Sequence, residues 1–324
     1  MKAIRYYAYG SPDVLQLQDV DVPAVKDGDI LIRVRAASVN PLDWHFMRGM
    51  PYVMRLQGGL SRPKVNGLGI DLAGHVEAVG KNVTTFQPGD EVFGVHLGGE
   101  TFAEYACVPH DAAVLRKPAD LTFEQAASVP ASAITALQAL RTKGKIQSGH
   151  KVLINGAAGG VGTFAVQIAK AYGAEVTGVC SSRNVEMVRS IGADQVIDYT
   201  KEDFTDSGQR YDLILDNAGN RTLSDRRRAL TPTGTLVLNS GSGGRWIGGL
   251  SNGVKALALS PLMRQRLVFF IALPDEDDLP TLHELLKAGK ITPVIDRTYP
   301  LSEVPEAIGY LEKGHAPAKV VITI

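Results

Sequence analysis

The sequence predicts an α/β protein of two domains, one mostly β and one a doubly wound parallel sheet of the nucleotide-binding kind. Three observations carry this. The first third of the chain is made of short strand-like runs, strands and helices then alternate, and one apolar strand runs straight into a glycine turn in KVLINGAAGGVGTFAVQ. At 324 residues the chain also exceeds the usual size of a single core.

From Ala3 to Val108, runs such as ILIRVRAASVN, GHVEAVG, PGDEVFGV and FAEYACV are punctuated by turn residues and read as β-strands. After Asp120 the period changes: FEQAASVPASAITALQAL carries small and apolar residues at helical spacing. A boundary at residue 122 follows. Beyond it come KVLING, a helix over about 160–172, EVTGVC, a helix ending near IGA, QVID, YDLILDNAG, a helix through Arg228, GTLVLNS and LVFFIAL. Apolar strands joined by single helices imply right-handed parallel crossovers with helices on both faces. From residue 273, helices in DLPTLHELLKAGK and SEVPEAIGYLEKG and a strand in KVVITI are expected to rejoin the first domain. The expected domains are therefore 1–122 with 273–324, and 123–272.

Composition narrows the function. Hydrophobic residues are 44% and charged residues 21%, and 34 basic residues balance 34 acidic ones. No overall field exists to hold a nucleic acid backbone. No apolar stretch is long enough to span a bilayer and MKAIRYYAYG lacks the apolar core of a signal peptide, so a cytoplasmic protein is expected. Cys107 and Cys180 exclude a disulfide framework and a cysteine-rich metal site, and read as small buried apolar residues.

In a GxGxxG fingerprint the glycines permit a tight turn, close approach of a diphosphate, and packing of helix on strand. Here those positions are Ala157, Gly159 and Gly162, with a further glycine at 156. Ala158, Gly159, Gly160, Val161 and Gly162 are the expected cofactor contacts at the helix N-terminus. The second strand, EVTGVC, should end at the adenosine ribose, where an NAD enzyme presents an acid. This chain offers Ser181, Ser182 and Arg183, which can donate hydrogen bonds to a 2′-phosphate, so NADPH is expected. The competing reading makes Arg183 a solvated start to the next helix.

SVNPLDWHFMRG, GLGIDLAGHVEAVG, FQPGDEVFG, FAEYACV, GAAGGVG, GADQVIDY and AKVVITI together resemble, over essentially the whole chain, the zeta-crystallin-like quinone oxidoreductases of the medium-chain dehydrogenase/reductase superfamily. Alkenal and enone reductases are among those relatives. The resemblance implies a GroES-like catalytic domain and a Rossmann domain. Zinc alcohol dehydrogenases of the superfamily use a cysteine and the histidine of a GHE motif; here the latter stretch reads Gly69, Ile70, Asp71 and the cysteine is absent. No metal is expected, and His75 and His96 stand off the ligand positions. Without a Lewis acid, conjugated acceptors are favoured over simple alcohols: a hydride from nicotinamide C4 would enter a quinone or an α,β-unsaturated carbonyl, and the protein would supply positioning and a few donors.

The resemblance also supplies site candidates. Asn40, for a carbonyl or the cofactor amide, His45, as cofactor contact and proton source, and Tyr52, to orient a substrate oxygen, form the expected catalytic set; Asn40 and His45 count as cofactor contacts too. For His45 and Tyr52, a surface histidine and a packed tyrosine are the competing readings. Thr135, Tyr199, Asn217, Ser240, Gly241, Phe270 and Lys319 complete the cofactor set, while Asp71 is expected to make a structural hydrogen bond. The segment 241–265, with Trp246, Ile247 and Leu250, is either a lid, with peripheral membrane contact, or a packed excursion. Relatives imply a homodimer. Two alternatives stay open: a carbonyl reductase or alcohol dehydrogenase, and a non-enzymatic NADPH-binding protein of crystallin-like or regulatory kind.

Overall fold

The computed structural model describes residues 1–239, 264–314 and 316–324. Ser240 and Gly241 lie outside the described residues, as does the expected lid apart from Arg264 and Gln265. The chain divides into two compact units, Met1–Ser132 with Pro274–His283 and Pro293–Ile324, and Ala133–Leu273 with Glu284–Thr292.

The first unit opens with β1 (Lys2–Arg5), β2 (Gln16–Asp19), β3 (Asp29–Val39), β4 (Asp71–Val79), β5 (Glu91–Val95), β6 (Tyr105–Pro109) and β7 (Ala113–Arg116). The second unit holds β8 (Lys151–Asn155), β9 (Glu175–Cys180), β10 (Gln195–Asp198), β11 (Tyr211–Asp216), β12 (Leu230–Leu238) and β13 (Arg266–Phe269). The chain then returns to the first unit with β14 (Ile295–Pro300) and β15 (Lys319–Thr323).

In the first unit the seven-stranded sheet runs β14-β15-β3-β4-β5-β7, with β6 also on β3. β3 is its spine. It pairs antiparallel with β4 along its length, with β6 over Asp29–Arg33 and with β15 over Ala36–Val39. Its burial follows from that: Arg33 and Arg35 are exposed, whereas every residue from Ala36 to Val39 is buried. Ile30, Ile32, Val34, Leu72, Val76, Val92 and Val108 form one core, and Ala37, Val39, Met47, Val304, Ile308, Val320 and Ile322 another. Each of these side chains other than Ala37 contributes about 1.5–3 kcal/mol on leaving water.

In the second unit all six strands are parallel, in the order β10-β9-β8-β11-β12-β13. This is the doubly wound order whose direction reverses between its first and fourth strands, here β8 and β11. Strands covered on both faces carry unbroken apolar runs, and Val152–Ile154, Leu213–Leu215 and Leu236–Leu238 are buried throughout.

The units divide after Ser132 rather than at residue 122, because helix Phe123–Ala127 packs on β3, β4, β5 and β15. Residues 284–292 fall to the second unit. There the Gln167 amide donates to Thr292 O at 3.0 Å and accepts from Thr292 N at 2.8 Å. Cys180 is buried, but Cys107 is half-buried with its Sγ 3.6 Å from Asp29 Oδ2, so only the former fits the reading of both as buried apolar residues. Among the described residues no helix is long and apolar enough to cross a membrane.

Candidate active site and cofactor cradle

The glycine turn connects β8 to helix Gly160–Ala171. Gly156 takes the left-handed backbone, φ 82°, and the amides of Gly156 and Ala157 both donate to Val179 O. The tight turn therefore falls one residue before the fingerprint's first position, which is why alanine is tolerated at 157. A Cβ on Gly162 would stand 2.1 Å from Gly156 O, so close packing of helix on turn demands glycine there. Gly159 differs. Its φ of −79° and ψ of 173° suit any residue, and a Cβ would meet nothing nearer than Gly156 O at 3.6 Å. Neither strain nor crowding within the protein explains its glycine, and it caps a helix start that no side chain caps. Gly159 N donates to Gly156 O at 3.1 Å and Thr163 N is the first helix amide returned to the turn, to Gly159 O, so the amides of Gly160, Val161 and Gly162 between them have no backbone partner among the described residues. Space without a Cβ beside uncapped amides fits a dinucleotide diphosphate.

The other cofactor candidates stand at the carboxyl ends of the same strands. Ser181–Arg183 follow β9, Tyr199 follows β10, Asn217 follows β11 and Phe270 follows β13. Arg183 and Tyr199 are exposed; Phe270 is buried with the Lys143 ammonium 6.0 Å over its ring. Thr135 is half-buried in helix Pro130–Leu137. Ser182 is not a free donor: its hydroxyl donates to Asp198 Oδ2 at 2.6 Å. Thr200 adds its amide and hydroxyl to Oδ1 and Lys201 closes on Oδ2 at 3.2 Å. The Ser182 hydroxyl foremost, with Thr200 and Lys201, holds the Asp198 carboxyl well below the usual carboxylate range.

At the switch point a buried network fixes the loop after β11. Asp216, fully buried, pairs with buried Arg226 and accepts from the Asn155 amide at 2.7 Å and the backbone of Ala218 and Gly219. Asn217 Oδ1 accepts from Asn239 Nδ2 at 2.7 Å, while Asn217 Nδ2 is buried with no hydrogen-bond partner among the described residues. An orphaned donor at the carboxyl edge of a doubly wound sheet again fits a bound acceptor.

In the first unit, Asn40 and Lys319 belong to a buried polar cluster with Ser38, Asp43, Asp71 and Ser132, none more than 5% exposed. Lys319 Nζ donates to Asn40 Oδ1 at 2.8 Å and Ser132 Oγ at 3.1 Å, and stands 3.5 Å from Asp71 Oδ2. Asn40 Nδ2 donates to Asp71 Oδ2 at 2.9 Å and Ser38 O at 3.2 Å. Its two amide hydrogens are thus both used. The expectation that Asn40 donates to a carbonyl fails on this count, and one lone pair of Oδ1 is left to receive an amide. Asp71 also accepts from the Ser38 hydroxyl and Ala131 N, which is the structural role expected of it. Asp43 accepts from Asn40 N at 2.7 Å and Gly69 N at 3.0 Å, joining the start of helix Pro41–Arg48 to the strand entry at β4. Burial pushes its carboxyl up to about 7, and lowers Lys319.

His45 Nδ1 lies 2.7 Å from Met50 O, and since a carbonyl only accepts, that nitrogen carries the proton. Burial lowers its pKa, so at neutral pH Nε2 is an acceptor and the ring is a poor proton source, contrary to expectation. Its ring stacks on Trp44 at 3.7 Å. Tyr52 lies under the Arg55 guanidinium, 4.8 Å from its ring centroid. His75 faces Glu91 at 3.7 Å and His96 is half-buried, and among the described residues no three His, Cys, Asp or Glu are grouped to hold a metal ion.

Residues 26–119 match a family profile described as alcohol dehydrogenase GroES-like domain, and residues 191–322 one described as zinc-binding dehydrogenase. The mouse mitochondrial protein named NAD(P)H oxidoreductase RTN4IP1 is 38% identical over 98% of this chain and 87% of its own length. An Arabidopsis thaliana protein named NADPH-dependent alkenal/one oxidoreductase, chloroplastic, is 33% identical over 99% of this chain and 79% of its own. The chain belongs to the quinone oxidoreductase family of medium-chain dehydrogenases/reductases. The Escherichia coli quinone oxidoreductase complexed with NADPH is 25% identical over the full length of both chains, with a TM-score of 0.85. The oxidoreductase carries the zinc-related profile through its second half while Ile70 occupies the histidine position of the zinc members.

Among the polar residues described above, Asn155, Asp198, Asp216 and Arg226 were not singled out from sequence. Asn155 ends a strand beside the glycine turn, which is a usable signal; the others are polar residues whose burial only the pairing of strands reveals.

Replacing Gly159 by Ala should cost no more than about 1 kcal/mol in urea unfolding, the N-cap preference for Gly over Ala, yet weaken dinucleotide binding, read by nicotinamide fluorescence, about tenfold or more. Gly162→Ala should cost about 1–3 kcal/mol of stability in the same unfolding assay. The raised Asp43 pKa gives a signed expectation. A carboxyl that is harder to ionise folded than unfolded contributes fully below the unfolded value near 4, and that contribution is lost as pH rises to about 7. Unfolding of Asp43→Asn and parent at about pH 5 and pH 8 should therefore shift on the order of 2 kcal/mol in the variant's favour at the higher pH.

Proposed function

We propose that this protein is a metal-independent, NADPH-dependent reductase of quinones or α,β-unsaturated carbonyls. The observation that carries it is the helix start at Gly159, capped by no side chain and with a glycine that neither strain nor crowding explains, followed at the end of β9 by Ser181 and Arg183 where an NAD enzyme presents an acid. The printed names of the mouse, Arabidopsis and Escherichia coli proteins support the same cofactor and acceptor classes.

NADPH supplies a hydride from nicotinamide C4. The chain's own residues then do the following. The amides of Gly160, Val161 and Gly162 hold the diphosphate, since that of Gly159 donates to Gly156 O. Arg183, with the Ser181 hydroxyl, meets the 2′-phosphate. Asn217 Nδ2 donates to an acceptor on the bound group, and Asn40 Oδ1, steered by Lys319, accepts an amide. The Tyr52 hydroxyl orients the acceptor's oxygen. His45 is neutral with Nε2 an acceptor, so water delivers the proton that completes reduction. Conjugated acceptors suit such a site because their negative charge spreads onto oxygen without a Lewis acid, whereas alcohol oxidation needs ligands that Ile70 and the two cysteines do not supply. The two domains take the roles of catalytic and NADPH-binding domain respectively. A homodimer is part of the proposal: β13 ends the six-stranded sheet, and Ile271 and Leu273 just beyond it are 70% and 63% exposed.

NADPH oxidation measured with panels of quinones, enones and simple ketones should show turnover with the first two only. Tight NADPH binding without acceptor-dependent oxidation would make the protein a binding module instead. His45→Gln should keep turnover within several-fold of the parent, with an unchanged pH profile from about 6 to about 8; disappearance of a fall in parent activity with rising pH would make His45 the proton donor.

A further inference from the structure

The 2′ end of the cofactor cradle contains donors and acceptors of opposite polarity. Ser182 heads the turn Ser182–Asn184 after β9, where the second strand of a doubly wound sheet meets the adenosine ribose. A hydroxyl has one hydrogen, and that of Ser182 goes to Asp198 Oδ2 at 2.6 Å. Asp198 sits directly across from Cys180 in the β9–β10 register, and the Thr200 hydroxyl lies 2.7 Å from the other carboxylate oxygen and 3.0 Å from Ser182 Oγ, so its one hydrogen goes to one of these two acceptors. Ser182 Oγ therefore presents lone pairs alone, backed by a carboxylate. A ribose 2′-hydroxyl can donate into that arrangement, whereas the oxygens of a 2′-phosphate only accept and carry charge of the same sign as Asp198. Beside it the polarity reverses. Arg183 is exposed, and the Ser181 hydroxyl, which accepts from Asn184 Nδ2 at 3.3 Å, keeps its own hydrogen to donate.

We propose that Asp198, by turning the Ser182 hydroxyl inward, is a specificity-determining residue that splits the 2′ site between a phosphate-accepting side, Ser181 and Arg183, and a hydroxyl-accepting side, Ser182. The protein then uses NADPH but discriminates only weakly against NADH. Lys201, 3.2 Å from Asp198 Oδ2, offsets part of the carboxylate's charge and so permits the phosphate at all. This rests on the reading of the cradle as a dinucleotide site.

The test is the dissociation constant of each dinucleotide for the full chain, with 2′,5′-ADP and 5′-AMP as probes of the adenosine end alone. In the parent, NADH should bind within about tenfold of NADPH. Asp198→Asn removes the charge and frees the Ser182 hydrogen, and should raise the preference for NADPH, and for 2′,5′-ADP over 5′-AMP, about tenfold. Ser182→Ala keeps Asp198 with Thr200 and Lys201 in place, so it guards against a folding defect, and should weaken NADH several-fold while NADPH stays within about twofold. If Asp198→Asn weakens both dinucleotides equally, Asp198 only orders the loop and the proposal is overturned. A variant that lost NADPH selectively would overturn it as well. If the parent binds neither dinucleotide, the cradle itself has been misread.

Discussion

One buried ammonium organises the first unit. Lys319 Nζ joins the end of β3 through Asn40, the start of β4 through Asp71, and the chain leaving the unit through Ser132. A lysine taken out of water is costly unless its hydrogens and its charge are both answered. Here each hydrogen meets an oxygen, and the charge lies between two carboxylates, Asp71 and Asp43. Asp43 receives only backbone amides, and burial foremost, with the Asp71 charge adding to it, raises its pKa. The backbone positions of Asn40, Gly69 and Asp71 depend on it, and with them the orientation of helix Pro41–Arg48 that carries His45.

The fold was largely legible in the sequence because it rests on periodicities. Unbroken apolar runs such as KVLIN and YDLIL read as strands covered on both faces, and their alternation with helices implied a parallel sheet, whose strand order the structure supplies. The boundary was less legible: FEQAA has helical spacing, but which unit a helix covers is decided by its partners, here β3 to β5 and β15. The left-handed residue at Gly156 rather than 157 shows why a fingerprint can lose a glycine and keep its turn.

The candidate site was legible as positions and not as hydrogen-bond capacity. Residues 159 to 162, 181 to 183, 199 and 217 stand at strand ends as expected, since chain order and strand length alone put them there. What Asn40, His45 and Ser182 can offer a ligand depends instead on where their hydrogens are already committed, to Ser38 and Asp71, to Met50 and to Asp198. Those partners come from other strands or loops, and no local pattern announces them.

The antiparallel partner of β3 on its Ala36–Val39 edge lies at residues 320–323, near the far end of the chain. During synthesis the first unit cannot close until β15 has emerged, whereas β8 to β13 are consecutive and precede it. The intervening domain has its own core and is available to fold first. Until Lys319 arrives, Asp43 and Asp71 lack a cation beside them, so β15 acts as a late electrostatic seal that completes the unit only after the strands of the second unit have been made.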